Sequence, residues 1–191
     1  MSHNLFFALW PDDDVRERVA SAARELKEAH RPRGRWIKAD RYHLTLRFLG
    51  THARLPESLL AAANAAGDAV STSAFNFELD RAGSFRNRDI PWWLGCRTMP
   101  ASLDALWDAL AATLATNGIA DEERSRRVAH VTIARDADRV LEEEAIAPIA
   151  WPVRDFVLVD SRLGGASAYT ILRRWPLAGW QRAPDSSSIA P

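Results

Sequence analysis

Cysteine is nearly missing from this 191-residue chain: Cys96 stands alone. No disulfide can form within the chain, and no thiolate cluster can hold a metal. Lysine is scarce as well. Lys27 and Lys38 are the only two, so arginine supplies nearly all the positive charge. Arginine suits bidentate contact with phosphate, although in so alanine-rich a chain the bias also fits genome base composition. Formal net charge is zero, so no global field draws the protein to nucleic acid or to an anionic membrane. A nucleic-acid partner would have to meet a local basic patch. Long apolar runs are absent too, and none approaches the ~20 residues needed to span a bilayer. The apolar run over 4–10 is too short for a signal peptide, and acidic residues follow at once. These absences predict a cytoplasmic protein.

What is present is enough for a core: 47% of residues are hydrophobic. The length fits one compact domain or two small lobes sharing a core. Residues 1–181 read as a single bilobal unit without a linker. The polar, small-residue stretch over 182–191 predicts a disordered tail.

Leu5 to Trp10 is a continuous apolar run, as in a buried strand. Pro11 and three aspartates then open a helix that runs to about His30, with apolar residues at helical spacing. A short strand is expected near 35–38. Further helices are expected over 56–70 and 100–117, with a short one within 140–149. Strands are expected over 43–50, 74–80, 91–97, 128–134, 153–163 and 168–175, the last two as a hairpin. This is an α+β pattern with mainly antiparallel pairing.

The chemistry concentrates in one repeated pattern. His43-Leu44-Thr45-Leu46-Arg47-Phe48 alternates polar and apolar residues, placing His43, Thr45 and Arg47 on one strand face. His130-Val131-Thr132-Ile133-Ala134-Arg135 repeats it, with the two histidines 87 residues apart. One His-x-Thr strand is ordinarily a half-buried strand with a satisfied imidazole; two copies in similar apolar surroundings point to a site. The repeat predicts two mainly antiparallel sheets related by a pseudo-twofold. Helices would lie outside, and the two motifs would face each other across a cleft.

Two imidazoles and two hydroxyls have the parts for phosphoryl transfer without a metal. One neutral ring takes a proton from the attacking oxygen, and the other, protonated, gives one to the leaving oxygen. Threonine hydroxyls can bind non-bridging oxygens, and an arginine can stabilise the developing charge. Neither copy carries the carboxylate or thiol that usually completes a zinc site, so no metal and no cofactor is expected. Arg135 has the opposite parity from His130 and Thr132, and reaches their face only if the strand ends or bulges near Ala134. Arg86 and Arg88, or Arg126 and Arg127, are candidates for holding an RNA backbone, with a solvated surface charge as the plainer reading of each. His3, His30 and His52 fit neither motif and read as surface residues.

At these residues the chain resembles the bacterial and archaeal RNA 2′,3′-cyclic phosphodiesterases, also called 2′-5′ RNA ligases, of the two-histidine phosphoesterase superfamily. The likeness runs through Leu5–Leu9, Arg35-Trp36-Ile37, both His-x-Thr motifs, Trp93-Leu94-Gly95 and Ser161-Arg162-Leu163, and on to the final strand. It departs from the family at Arg127-Val128-Ala129, where an aromatic and a proline often precede the second histidine. The resemblance implies His43 and His130 as the catalytic pair and Thr45 and Thr132 as phosphate ligands. It also implies Arg135 near the phosphate and Phe48 at the nucleobase or cleft; Arg47, on the strand face of His43, is a further candidate there. The implied reaction is hydrolysis of a cyclic phosphate on an RNA end or nucleotide, leaving a 2′-phosphomonoester, with ligation as the reverse. A monomer is expected. Alternatives are a phosphodiesterase for a small cyclic nucleotide or ADP-ribose cyclic phosphate, and an RNA-binding module without turnover.

Overall fold

The computed structural model describes residues 2–119, 127–163 and 169–179. The connector over 120–126, the turn over 164–168 and the expected tail lie outside these residues. In chain order the elements are β1 (Ser2–Leu9), α1 (Asp13–His30), β2 (Arg35–Trp36), a 3-10 turn (Ala39–Arg41), β3 (Leu44–His52), α2 (Glu57–Ala69), β4 (Phe75–Ser84) and β5 (Trp92–Gly95). They continue with α3 (Ala101–Thr116), β6 (His130–Arg135), β7 (Glu144–Val153), β8 (Asp155–Leu163) and β9 (Tyr169–Pro176).

The helices form where the residues dictate. Asp12 caps α1 by accepting the Val15 N–H at 3.0 Å, and Asp13 and Asp14 sit at the positive end of the helix dipole. Val15, Val19, Ala23 and Leu26 form its buried stripe. On α3 the stripe is Leu103, Leu106, Trp107, Leu110 and Leu114. Both stripes belong to one large core on one side of the sheet.

The strands expected as two sheets join into one. Its order is β7-β4-β5-β6-β3-β1-β8-β9, with β2 added beside β6. The halves meet at a narrow seam, since β3 and β6 share a single registered antiparallel pair, Leu44 with Val131. The helix expected within 140–149 is replaced by β7. Its buried residues Ile149, Trp151 and Val153 alternate, and among the described residues β7 pairs with β4 alone. Pro148 and Pro152 would interrupt a helix, whereas an edge strand tolerates both.

A glycine holds α2 to the sheet. A Cβ on Gly67 would lie 2.5 Å from the Trp175 ring. That ring cannot easily retreat: it stacks on Phe156 at 5.2 Å, abuts Phe7, and donates its indole N–H to Asp68 at 2.9 Å. Gly67→Ala gains ~1 kcal/mol of helix propensity but overpacks this contact at a cost of roughly 1–3 kcal/mol. The variant is therefore expected to unfold at lower urea concentration than the parent.

Candidate active site

The seam places the two motifs side by side. Leu44 and Val131 are fully buried and face the helix-covered core. Their strand neighbours therefore face the other way. In this register His43 comes next to Thr132 on one side of the pair, and Thr45 next to His130 on the other. Two imidazoles and two hydroxyls thus share one sheet face, each His beside the other strand's Thr.

Both strands then break their alternation at the same point. On β3, Thr45 pairs with Ala8 and Arg47 with Phe7, so Leu46 is an extra residue. On β6, Thr132 pairs with Trp93 and Ala134 with Trp92, so Ile133 is extra. Both extra residues are buried apolar side chains. Their carbonyls are satisfied from outside these ladders: the Trp107 indole donates to Leu46 O at 2.9 Å, and the Ile37 N–H donates to Ile133 O at 2.9 Å. Each bulge shifts the strand beyond it by one face.

The shift resolves the parity of Arg135 and Phe48. Ala134 pairs with the fully buried Trp92, so Arg135, one residue on, falls on the His130 face. Phe48 pairs with Phe6, whose ring stacks on His43 at 4.9 Å, so Phe48 also falls on the histidine face, 49% exposed. Arg47 does not share the face of His43, as simple alternation predicts. It pairs with Phe7, fully buried in the helix-side core, because the bulge at Leu46 exchanges it with Phe48. The positions five residues beyond each histidine are Phe48 and Arg135. One end of the site is aromatic and the other cationic.

Each imidazole is held the same way. His43 Nδ1 donates to Arg41 O at 2.7 Å, and His130 Nδ1 donates to Val128 O at 2.8 Å. A carbonyl can only accept, which places the proton on Nδ1 in both rings and leaves both Nε2 atoms for a substrate. The walls differ. His43 stacks on Phe6 and on Trp10, the latter at 5.8 Å and 13°, with Tyr169 at 5.6 Å. His130 meets the edge of Phe85 at 4.9 Å, and Phe85 in turn packs on Trp93. The Trp93 ring lies across Gly83 and Gly95, where a Cβ would come within 2.7 and 3.0 Å of it. Trp10 and Phe85 carry no motif, and Phe6 and Tyr169 lie in segments of family likeness without any spacing that marks them as neighbours of a histidine; only the folded sheet brings the four to the histidines.

Burial lowers the His43 imidazole from its ordinary 6.5 to about 4. The hydrogen bond to Arg41 O opposes this, and the charges of His130 and Arg135 add to it. Burial likewise lowers His130, again opposed by its carbonyl contact and aided by Arg135. Arg135 therefore acts on both rings through space.

Other candidates lie elsewhere. Arg86 pairs with Glu142 at 2.6 Å. Arg127 pairs with Asp104 and Asp108 and covers Trp107. Arg88 is exposed, and Arg126 is outside the described residues. His3 and His30 pair with Asp160 and Glu144, and His52 contacts Leu49 O. Among the described residues no group of three or more His, Cys, Asp or Glu is placed to hold a metal ion, and no helix is long and apolar enough to cross a membrane. A cavity of about 400 Å³ opens beside the first turn of α1, lined by Arg16, Trp151 and Arg174 among others. It is separate from the histidine face, and Trp10 alone of its lining residues has a ring contact with His43.

The LigT like Phosphoesterase family model matches residues 9–93. The chain is 33% identical over 181 residues to the RNA 2′,3′-cyclic phosphodiesterase of Escherichia coli (strain K12), covering 91% of this chain and 96% of that protein. The crystal structure of E. coli LigT complexed with 3′-AMP superposes with a TM-score of 0.74 at 31% identity, over 93% of this chain and 99% of that one. A Thermus thermophilus protein shares the fold with a TM-score of 0.74 at 24% identity, over 93% of this chain and all of its own.

Proposed function

This chain belongs to the LigT-like phosphoesterases, and from that premise we propose that it hydrolyses the 2′,3′-cyclic phosphate at RNA 3′ ends to a 2′-phosphomonoester. The E. coli relative is named for that substrate class. The observation that carries the reading is the matched pair of Nδ1 hydrogen bonds, which leaves two Nε2 atoms open on one sheet face.

His43 acts as base and His130 as acid. The enclosed His43 ring is neutral at neutral pH, as a base must be. Its Nε2 takes a proton from water as the water oxygen bonds to phosphorus. The bond from phosphorus to O3′ breaks, and His130 Nε2 gives its proton to O3′. The product keeps phosphate on O2′ and frees the 3′ hydroxyl. Both rings are depressed in the free enzyme; a bound phosphodiester anion raises them toward the range in which one is charged. Thr45 and Thr132 donate hydroxyl protons to the non-bridging oxygens, and Arg135 offsets the charge that builds on them.

The reading is tested with adenosine 2′,3′-cyclic phosphate in the presence of EDTA, following the product by chromatography. The expected product is the 2′-monophosphate, formed at the same rate with and without chelator. A 3′-monophosphate would reverse the assignment of the leaving oxygen, and no turnover of this substrate or of an oligonucleotide ending in a 2′,3′-cyclic phosphate would defeat the reading.

A further inference from the structure

We propose that Arg35, set directly opposite Arg135, forms a second anion subsite beside the one at Arg135 and takes the phosphodiester on the 5′ side of the terminal nucleotide, so that the protein favours RNA ends over mononucleotides. The proposal rests on the cyclic-phosphate reading above. Its observation is independent of the histidines: β2 pairs with β6 so that Arg35 lies directly opposite Arg135.

Their faces follow from the core. Trp36 pairs with Ala134 and packs its ring against Trp92 at 6.1 Å, under Lys27 of α1. Trp36 thus holds the core side of β2, and strand alternation puts Arg35 on the side of His130 and Thr132. The histidine face therefore ends in two guanidinium groups from directly opposed positions. Like charges in direct cross-strand opposition are destabilising, so the arrangement asks for an anion.

The carboxylate at hand is a poor one. Asp136 approaches Arg35 at 3.6 Å, and both side chains are more than half exposed. Such a surface pair is worth little and yields readily to a phosphate, which can accept a bidentate guanidinium contact. Arg135 stands on β6 itself, on the face of His130, which assigns it the reacting phosphate. Arg35, one strand further out, takes the next phosphate along the chain. A mononucleotide cyclic phosphate has no such group.

The test compares adenosine 2′,3′-cyclic phosphate with a dinucleotide ending in a 2′,3′-cyclic phosphate, and reads the ratio of the two KM values. Arg35→Ala is expected to shift that ratio against the dinucleotide by about tenfold. It should also reduce the salt slope of kcat/KM for the dinucleotide by about 0.7, the share of one single-strand phosphate contact. Arg35→Lys, which keeps the charge and loses the fork, is expected to fall between. Asp136→Asn frees Arg35 and tolerates the left-handed backbone there (φ 56°); it is expected to shift the ratio toward the dinucleotide. A ratio unmoved by Arg35→Ala and Asp136→Asn overturns the subsite while leaving the hydrolytic reading intact. Failure of the unaltered protein to turn over either substrate overturns that reading itself.

Discussion

Alanine at His43 or at His130 is expected to lower kcat by about 10³, the middle of the range for loss of a positioned acid or base. Each ring has one nitrogen committed to a backbone carbonyl and one left for the reaction. No other imidazole among the described residues is placed to substitute, since His3, His30 and His52 are held in contacts of their own. Proton removal and proton donation belong to one displacement. The double variant is therefore expected to be little slower than either single one, as groups acting as a unit are not additive. Single-turnover rates on a cyclic mononucleotide check this. His43 also packs between Phe6 and Trp10, so His43→Gln, which fills more of the space, separates lost chemistry from lost packing. A Gln variant that folds and keeps near-parental turnover would sink the two-imidazole mechanism.

Arg135→Ala is expected to lower kcat/KM by about 10², as for removal of one group that stabilises transition-state charge. A second consequence has a definite sign. The Arg135 charge lowers both imidazoles, so its removal raises both. His43 must be neutral to act as base, and in the variant it stays protonated up to a higher pH. The acid limb of the kcat/KM profile should therefore move to higher pH. A purely structural role for Arg135 would reduce the rate without moving that limb. The twin position offers the contrast: Phe48 carries no charge, so Phe48→Ala should weaken binding and leave the limb in place.

The placement of Phe48 and Arg135 depends on the bulges at Leu46 and Ile133. Simple alternation groups Arg47 with His43 and sends Phe48 and Arg135 to the opposite face. In the folded sheet one inserted residue per strand exchanges these positions. A bulge leaves little trace in local sequence, because the inserted residue is another buried apolar side chain. Here its carbonyl finds a partner in Trp107, 61 residues further on, or in Ile37, which precedes β6 by nearly a hundred residues. The sequence could therefore say only that Arg135 needed a bulge near Ala134.

The misread helix within 140–149 has a similar origin. Six of the ten residues over 140–149 are apolar, and which of them lie on a buried strand face becomes clear only once β4 is alongside. The seam is subtler still. A repeat of two strands predicts two related halves, but whether they form separate sheets or share an edge depends on one residue pair, Leu44 with Val131.

The sequence by itself determined the residue chemistry and the local elements. Two His-x-Thr strands, the helix caps and stripes, and the want of thiols and lysines are all properties of neighbours in the chain, where spacing and side-chain type suffice. The tertiary structure alone decided which residues meet. It set His43 beside Thr132, enclosed one histidine with Phe6, Trp10 and Tyr169 and the other with Phe85, and turned Phe48 and Arg135 to the histidine face while turning Arg47 away. It also set Arg35 opposite Arg135. These outcomes depend on strand register and on single inserted residues, which are selected by burial and backbone hydrogen bonding between segments far apart in the chain.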